Sequence, residues 1–245
     1  MVRKNKQMGD AMKQDIISIV GAGGKTTMMF KIAGELRGFN KVLVTTTTKI
    51  YIPLEDKYDF ICTDSECFHE YIDMKENGIY VLGSGVNSEN KILGLSCKQI
   101  EELAPYFDYI LIEADGAKKK KLKGWNEFEP IICGKTTKTI GIIDIQSVGM
   151  VIDEEHVHRS KIFCEITGAN QGETVKLKHL CNLILHPQGL FKGAEGQRIL
   201  YINKVESPND MILAKSLVKQ VNLVDKGLLD NVVIGSLKTG KYLFS

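Results

Sequence analysis

The chain has 245 residues, of which 43% are hydrophobic and 25% charged, with a formal net charge of +2. That is the composition of a soluble α/β domain long enough to bury a sizeable core. The near balance of charge excludes a general nucleic-acid binder, which needs a strongly basic face. An aromatic content of 7% gives no base-stacking platform either.

The N-terminal stretch Met1 to Gln7 is polar and basic, and no apolar h-region follows it. No run approaches the roughly 20 apolar residues that span a bilayer. The expected location is therefore the cytoplasm, with no membrane or nucleic-acid partner. The six cysteines, at 62, 67, 97, 133, 164 and 181, form no C-x-x-C pair and lie mostly in apolar segments. In a cytosolic chain that pattern predicts reduced, buried thiols.

Ile16 to Val20 is a short β-branched run that ends in glycines, which predicts a buried strand. From Lys25 the period becomes helical, with Met29, Ile32, Ala33 and Leu36 on one face and Gly38 as a stop. Lys41 to Val44 is the next strand, so the segment is a βαβ unit of a parallel sheet. Tyr58 to Cys62 reads as a strand, Asp64 to Met74 as a helix and Ile79 to Leu82 as a strand, followed by a polar segment, Gly83 to Asn90. Cys97 to Ala104 is helical behind Ser96, a candidate N-cap. Asp108 to Ile112 is a strongly apolar strand, and Glu113 to Glu129 a loop rich in Lys and Gly. Thr139 to Ile145 is a strand. Glu154 to Ile166 and Thr174 to Leu185 read as helices, so the stretch 154–190 is a candidate small helical lobe on one P-loop-like domain, 1–245. Arg198 to Asn203, Asp210 to Val221 and Asn231 to Ser236 complete the pattern as strand, helix and strand. The expected fold is α/β, a three-layer arrangement of P-loop NTPase type around a mostly parallel central sheet.

The chemistry concentrates between the first strand and its helix, in Gly21-Ala22-Gly23-Gly24-Lys25-Thr26-Thr27. Glycines there let the backbone turn sharply and point successive N–H groups inward. The helix start adds its positive dipole end. Lys25 is positioned to reach the β- and γ-phosphates, and the Thr26 hydroxyl to coordinate Mg²⁺. The usual G-x-x-x-x-G-K-[ST] pattern would need Gly where Ile19 stands. The shorter G-x-x-G-K-T-T resembles the loop of the Mur-ligase central domain, and its G-G-K-T-T resembles metallochaperone-type GTPases. A dinucleotide fingerprint fails at Thr26.

In an open parallel sheet, ligands bind at the carboxyl ends of the strands. After the second strand stands Thr45-Thr46-Thr47-Thr48-Lys49, in which Thr47 and Lys49 are candidate phosphate contacts. After Ile112 come Glu113 and Asp115, a Walker B arrangement for Mg²⁺ or the attacking water. Asp115 is the first choice for the metal and Glu113 the second. The lysine run 118–121 with Lys123 reads equally as a solvated loop or a cover over an anion, with Lys118 nearest Asp115. After Ile202 stands Asn203-Lys204-Val205-Glu206, which resembles the N-K-x-D base-recognition motif with Glu206 in place of Asp. His156 and His158 read either as a metal pair or as part of a helix start. His186 to Gly193 is a turn-rich loop with no assigned role.

Taken together, Val20 to Thr27, Val44 to Lys49, Glu113 to Ala117, Glu129 to Ile132, Val157 to Arg159, Pro187 to Gly193 and Asn203 to Val205 resemble the YqeC family. Departures are Lys121-Leu122-Lys123 where the family shows P-L-K, Phe128 where a His is common, and Glu206. The resemblance implies an accessory role in the maturation of selenium-dependent molybdenum hydroxylases, with such a hydroxylase or its cofactor-maturation proteins as partner. The residues themselves imply ATP or GTP with Mg²⁺. They leave open hydrolysis, transfer to a second substrate in the manner of a kinase or ligase, and non-catalytic sensing.

Overall fold

The computed structural model describes residues 14–64 and 68–244. Met1 to Gln7 and Cys67 lie outside them. In chain order the strands are β1 (Asp15–Gly21), β2 (Lys41–Thr46), β3 (Lys49–Tyr51), β4 (Phe60–Cys62), β5 (Gly78–Leu82), β6 (Gly85–Val86), β7 (Lys91–Leu93), β8 (Tyr109–Glu113), β9 (Leu122–Lys123), β10 (Lys138–Asp144), β11 (Val157–His158), β12 (Gln197–Asn203), β13 (Asn231–Ser236) and β14 (Lys241–Phe244). The helices are α1 (Lys25–Leu36), α2 (Phe68–Asp73), α3 (Cys97–Leu103), α4 (Ser160–Thr167), α5 (Leu177–Leu185) and α6 (Pro208–Val224).

The main sheet has nine strands in the order β14-β13-β12-β10-β1-β8-β2-β5-β4. Every pairing in it is parallel except β13 with β14. Because side chains alternate across a strand, the two faces carry separate apolar sets. Ile17 and Ile19 of β1, Leu111 of β8 and Ile142 of β10 meet Met28, Met29 and Ala33 of α1 on one face. On the other, Val20, Ile143 and Ile202 pack with Leu180 and Ile184 of α5 and Leu217 and Val221 of α6. Farther along that face, Leu43, Tyr80, Ile110 and Ile112 pack with Ile100 and Leu103 of α3. The result is the expected α/β three-layer architecture, with β1 and its glycines at the middle of the sheet. The stretch 154–190, read as a candidate lobe, contributes Phe163, Ile166, Leu180 and Leu183 to the same core as β10 and β12.

Several expectations change. The polar segment Gly83 to Asn90 belongs to a small antiparallel sheet, β3-β7-β6, whose Ile50 and Ile92 cover the α1 face. The helix read from Glu154 begins at Ser160, because β11 pairs with β9 and Arg159 adopts a left-handed conformation (φ 58°). The helix read from Thr174 begins at Leu177. The thiol expectation is corrected as well. Cys97 and Cys133 form a disulfide that joins α3 to the loop before β10, and Cys62 is disulfide-bonded too. Cys164 and Cys181 are free. No pattern in sequence marks residues 36 apart as partners, since the fold alone sets that approach. Among the described residues no helix is long and apolar enough to cross a membrane.

Candidate functional site

The C-terminal end of β1 turns at Gly21 into α1. A side chain at Gly21 would put its Cβ 2.3 Å from Ile142 O, and its φ of +101° is left-handed. Gly23, at φ +81°, would press a Cβ against Asp144 Cβ at 2.5 Å. Only glycine fits either position. The glycines also leave α1 without a side-chain cap at Gly24. By contrast α3 and α6 start with capping boxes, Ser96 with Gln99 and Ser207 with Asp210. A glycine in place of a side-chain cap costs only about a few tenths of a kcal/mol, and it leaves the first N–H groups of α1 without a side-chain partner at the edge of the cleft. The helix itself first uses the N–H of Met28, which donates to Gly24 O. The N–H groups of Lys25, Thr26 and Thr27 are left to point outward.

Behind this loop lies a chain of alternating buried charges. Lys25 Nζ donates to Gly21 O (2.7 Å) and stands 3.2 Å from Asp115 Oδ1 and 3.8 Å from Glu113 Oε1. Burial works against the Lys25 charge, but Asp115 and Glu113 outweigh it and hold the ammonium pKa above its ordinary value. Asp115 is fully buried and accepts from Gly21 N–H (3.1 Å) and Trp125 Nε1–H (2.6 Å) on Oδ2. Its Oδ1 has no hydrogen-bond donor. Lys123, also buried, stands 3.2 Å from Asp115 and donates to Glu129 (2.8 Å). Arg159 completes the chain with two donors on Glu129. Against the penalty of burial, Arg159 and Lys123 hold the Glu129 carboxyl down at about 2.

The two acidic candidates therefore occupy different places. Glu113 lines the cleft and accepts from Thr26 Oγ1 at 2.6 Å. Burial pushes its pKa up, opposed by Lys25 and Thr26. Asp115 sits behind Lys25, away from the cleft wall. A hydroxyl and a carboxylate side by side at the mouth of the loop form an oxygen donor pair suited to Mg²⁺, which keeps several waters and uses few protein ligands.

The other strand ends divide between structure and site. Thr46 Oγ1 donates to Glu113 O and Thr47 Oγ1 to Ile131 O, so these hydroxyls tie strand ends together. Thr47 and Lys49 both line the cleft. Asn203 Nδ2 donates to Gly23 O (2.8 Å), and Asn203 Oδ1 accepts from Leu237 N–H (3.1 Å), so Asn203 braces the glycine loop. Lys204, at φ 63°, pairs with Asp144 at 2.5 Å. Burial pushes the Asp144 carboxyl up against this pairing. Glu206 accepts from Ser236 Oγ and faces Lys238 at 3.6 Å on the cleft wall.

His156 bonds locally to Asp153, while His158 lines the cleft. Burial first, and then Arg159, Lys123 and Lys118, lower the His158 pKa to about 4, which leaves a neutral ring at neutral pH. Among the described residues, no three His, Cys, Asp or Glu side chains gather as a metal cage. The loop His186 to Gly193 gains a role that its turn residues did not disclose. Leu190 and Phe191 are buried and fill the space behind Gly21 and Gly141. Sequence reasoning also missed Trp125 and gave Glu129 only as part of a family segment with no role, because their neighbours are set by tertiary packing; the burial of Lys123 amid a lysine run left no local signal.

A family model described as YqeC protein matches residues 17–161, a span that holds the glycine loop, Glu113, Asp115 and Arg159. The chain belongs to the YqeC family. It is 31% identical over 223 residues to the uncharacterized protein YqeC of Escherichia coli (strain K12), covering 89% of this chain and 87% of that one. No solved structure matches.

Proposed function

We propose that this member of the YqeC family binds ATP or GTP with Mg²⁺ in the cleft at the end of β1 and hydrolyses it. The observation that carries the reading is the uncapped start of α1, wrapped by glycines that cannot be replaced and set beside the Thr26–Glu113 pair. N–H groups without helix partners and the positive end of the helix dipole support an anion there, with Lys25 held just behind the loop on Gly21 O.

In this reading the N–H groups from Gly23 to Thr27 hold the phosphate oxygens. Lys25 leaves Gly21 O to meet the β- and γ-phosphates. Thr26 and Glu113 hold the magnesium, which when bound offsets the charge on the transferred phosphoryl group. Glu113 also orients the attacking water. Asp115 acts through Lys25, positioning the ammonium at the loop. Glu206, Leu237 and Lys238 border the nucleoside end, with Asn203 and Lys204 bracing the loop beneath it.

The family resemblance supports the wider role of an accessory factor that matures selenium-dependent molybdenum hydroxylases, with turnover of the nucleotide driving rearrangement of the strand-end loops on that client. Titration calorimetry with ATP and GTP plus Mg²⁺, followed by single-turnover hydrolysis, tests the reading. Binding is expected in the native chain and is lost in Lys25→Ala with the fold retained. An absence of heat with both nucleotides on folded protein overturns it.

A further inference from the structure

The cleft is larger than one nucleotide needs. Its volume is about 1430 Å³, whereas sites for single small ligands run to roughly 300–1,000 Å³. The glycine loop at β1 divides it. On the side of β12 and β13 the walls are Glu206, Leu237 and Lys238, the nucleoside end of the reading above. On the side of β8 and β2 they are formed by the segment 116–121, Tyr51, Phe128 and His158.

Positive charge on this second side is only partly balanced: Glu89 lines the wall and feels the charge of Lys118 without pairing with it. Lys91 pairs with Glu89 and Arg159 with Glu129. No carboxylate among the described residues pairs with Lys118 or Lys119. The ammonium of Lys119 instead stands 4.3 Å from the Tyr51 ring centre, a cation–π contact that fixes its place on the wall. Lys118 and Lys119 are consecutive residues with left-handed backbone, φ 48° and 61°. Each such non-glycine residue costs on the order of 1 kcal/mol or more, and strain of this kind collects where a site must be held in shape. Together the two turn the chain so that the lysines border the cleft, where the Lys120 ammonium is taken up by Glu154 O.

We infer that the β8–β2 side of the cleft is a second binding subsite, for a small, multiply charged anion such as a phosphorylated metabolite, held chiefly by Lys118 and Lys119. The inference rests on the nucleotide reading for the occupant of the other side. A second ligand there sits across the glycine loop from the nucleoside, next to Glu113, so the cleft would hold two ligands at once.

The test is equilibrium dialysis of the full chain with labelled inorganic pyrophosphate at matched free Mg²⁺, with and without a saturating non-hydrolysable nucleoside triphosphate analogue. The native chain is expected to bind two equivalents of pyrophosphate alone and one when loaded with nucleotide. Lys118→Ala/Lys119→Ala, at two exposed positions where folding is not at stake, is expected to weaken the nucleotide-spared equivalent at least tenfold. Lys25→Ala keeps that equivalent. Displacement of all pyrophosphate by nucleotide, or an undiminished second equivalent in the double variant, overturns the inference. If the chain binds no nucleotide, the nucleotide reading falls by itself. The double variant then still decides, since an equivalent lost in it but kept in Lys25→Ala supports the subsite, and its retention refutes it.

Discussion

Replacing Asp115 by Asn should destabilise the fold more than any other single change at the site. The carboxylate has no exposed surface and stands 3.2 Å from each of two buried ammoniums, Lys25 and Lys123. Asn keeps the shape but removes the charge that both lysines face. It also risks aiming an amide N–H at the Gly21 and Trp125 donors on Oδ2. Glu113 at 3.8 Å and Glu129 at 2.8 Å remain as partners for the lysines, so the loss is partial. Breaking a buried pair by removing one member costs about 3–5 kcal/mol. For a chain of this length 1 kcal/mol moves Tm by roughly 2–4 °C, so a fall of about 10 °C is expected. The chain's one tryptophan, Trp125, bonds to Asp115, so its fluorescence reports the local and the global event together. A second variant isolates the charge effect. Asp115→Asn/Lys123→Met removes one of the stranded ammoniums and should recover at least about 1 kcal/mol relative to the sum of the single changes. A Tm loss below 2 °C, or strict additivity in the double variant, would refute the account of Asp115 as the hub of the buried charges.

Gly23→Ala should weaken nucleotide binding at least tenfold in calorimetry and lower Tm as well, because its Cβ collides with the buried Asp144 where the loop must hold its shape; unchanged affinity would show that the loop conformation does not matter. Stability should fall with acid in two steps. His158 and Glu129 both have folded pKa values below their ordinary ones, so the unfolded chain binds more protons and stability rises with pH. The His158 part is present above about pH 6.5 and is lost on the way down to about 4, and the Glu129 part is lost between about 4.5 and 2; each is worth roughly 2 kcal/mol after discounting partial exposure. Urea titrations across pH 7 to about 2 check this, and a flat profile would contradict it. Reduction of Cys97–Cys133, which closes a loop of 36 residues, should cost about 3–4 kcal/mol in urea by the loop-entropy relation; Cys133→Ser should reproduce most of that loss, and no difference between oxidised and reduced protein would rule it out.

What the sequence disclosed were features carried by short-range pattern. Ile16 to Val20 before glycines, the 3.6-residue period of Met29, Ala33 and Leu36, and the apolar run ending at Ile112 each specify their element locally, and all three stand as read. The glycine loop was legible because its chemistry is the backbone's own. What was not legible depends on burial. Glu113 and Asp115 are two residues apart in one strand end, and nothing in their order says which faces the cleft. Asp115 lies in a bend just beyond β8, and the difference between the two acids comes from Lys123 of β9 and Trp125 just after it. The threonine run was ambiguous for a similar reason, since a hydroxyl at a strand end serves a ligand or a neighbouring carbonyl equally well, and Thr46 and Thr47 bond to carbonyls. The β3-β7-β6 sheet escaped because strands of two or three residues carry too few alternations to register a period.

The charge chain from Lys25 through Asp115, Lys123 and Glu129 to Arg159 explains why these residues are worth their burial. An isolated buried ion pair is a poor source of stability, since hydrophobic replacements often do as well. A line of five charges with separations of 2.8 to 3.2 Å between neighbours does something a hydrophobic plug cannot. It fixes the register of three segments that are far apart in sequence: the glycine loop, the strand end at β8, and the start of α4 at Arg159. It also makes the state of one end felt at the other. In the proposed nucleotide-bound state Lys25 turns towards a phosphate and Asp115 keeps Lys123 as its remaining ion-pair partner; drawing that ammonium from Glu129 would leave the carboxylate more tightly paired with Arg159. The strained lysines at 118 and 119 and the Arg159 side chain border the same half of the cleft. The buried line thus links the glycine loop to the Arg159 side of the cleft through one set of charges, the route by which the two proposed sites would sense each other's occupancy.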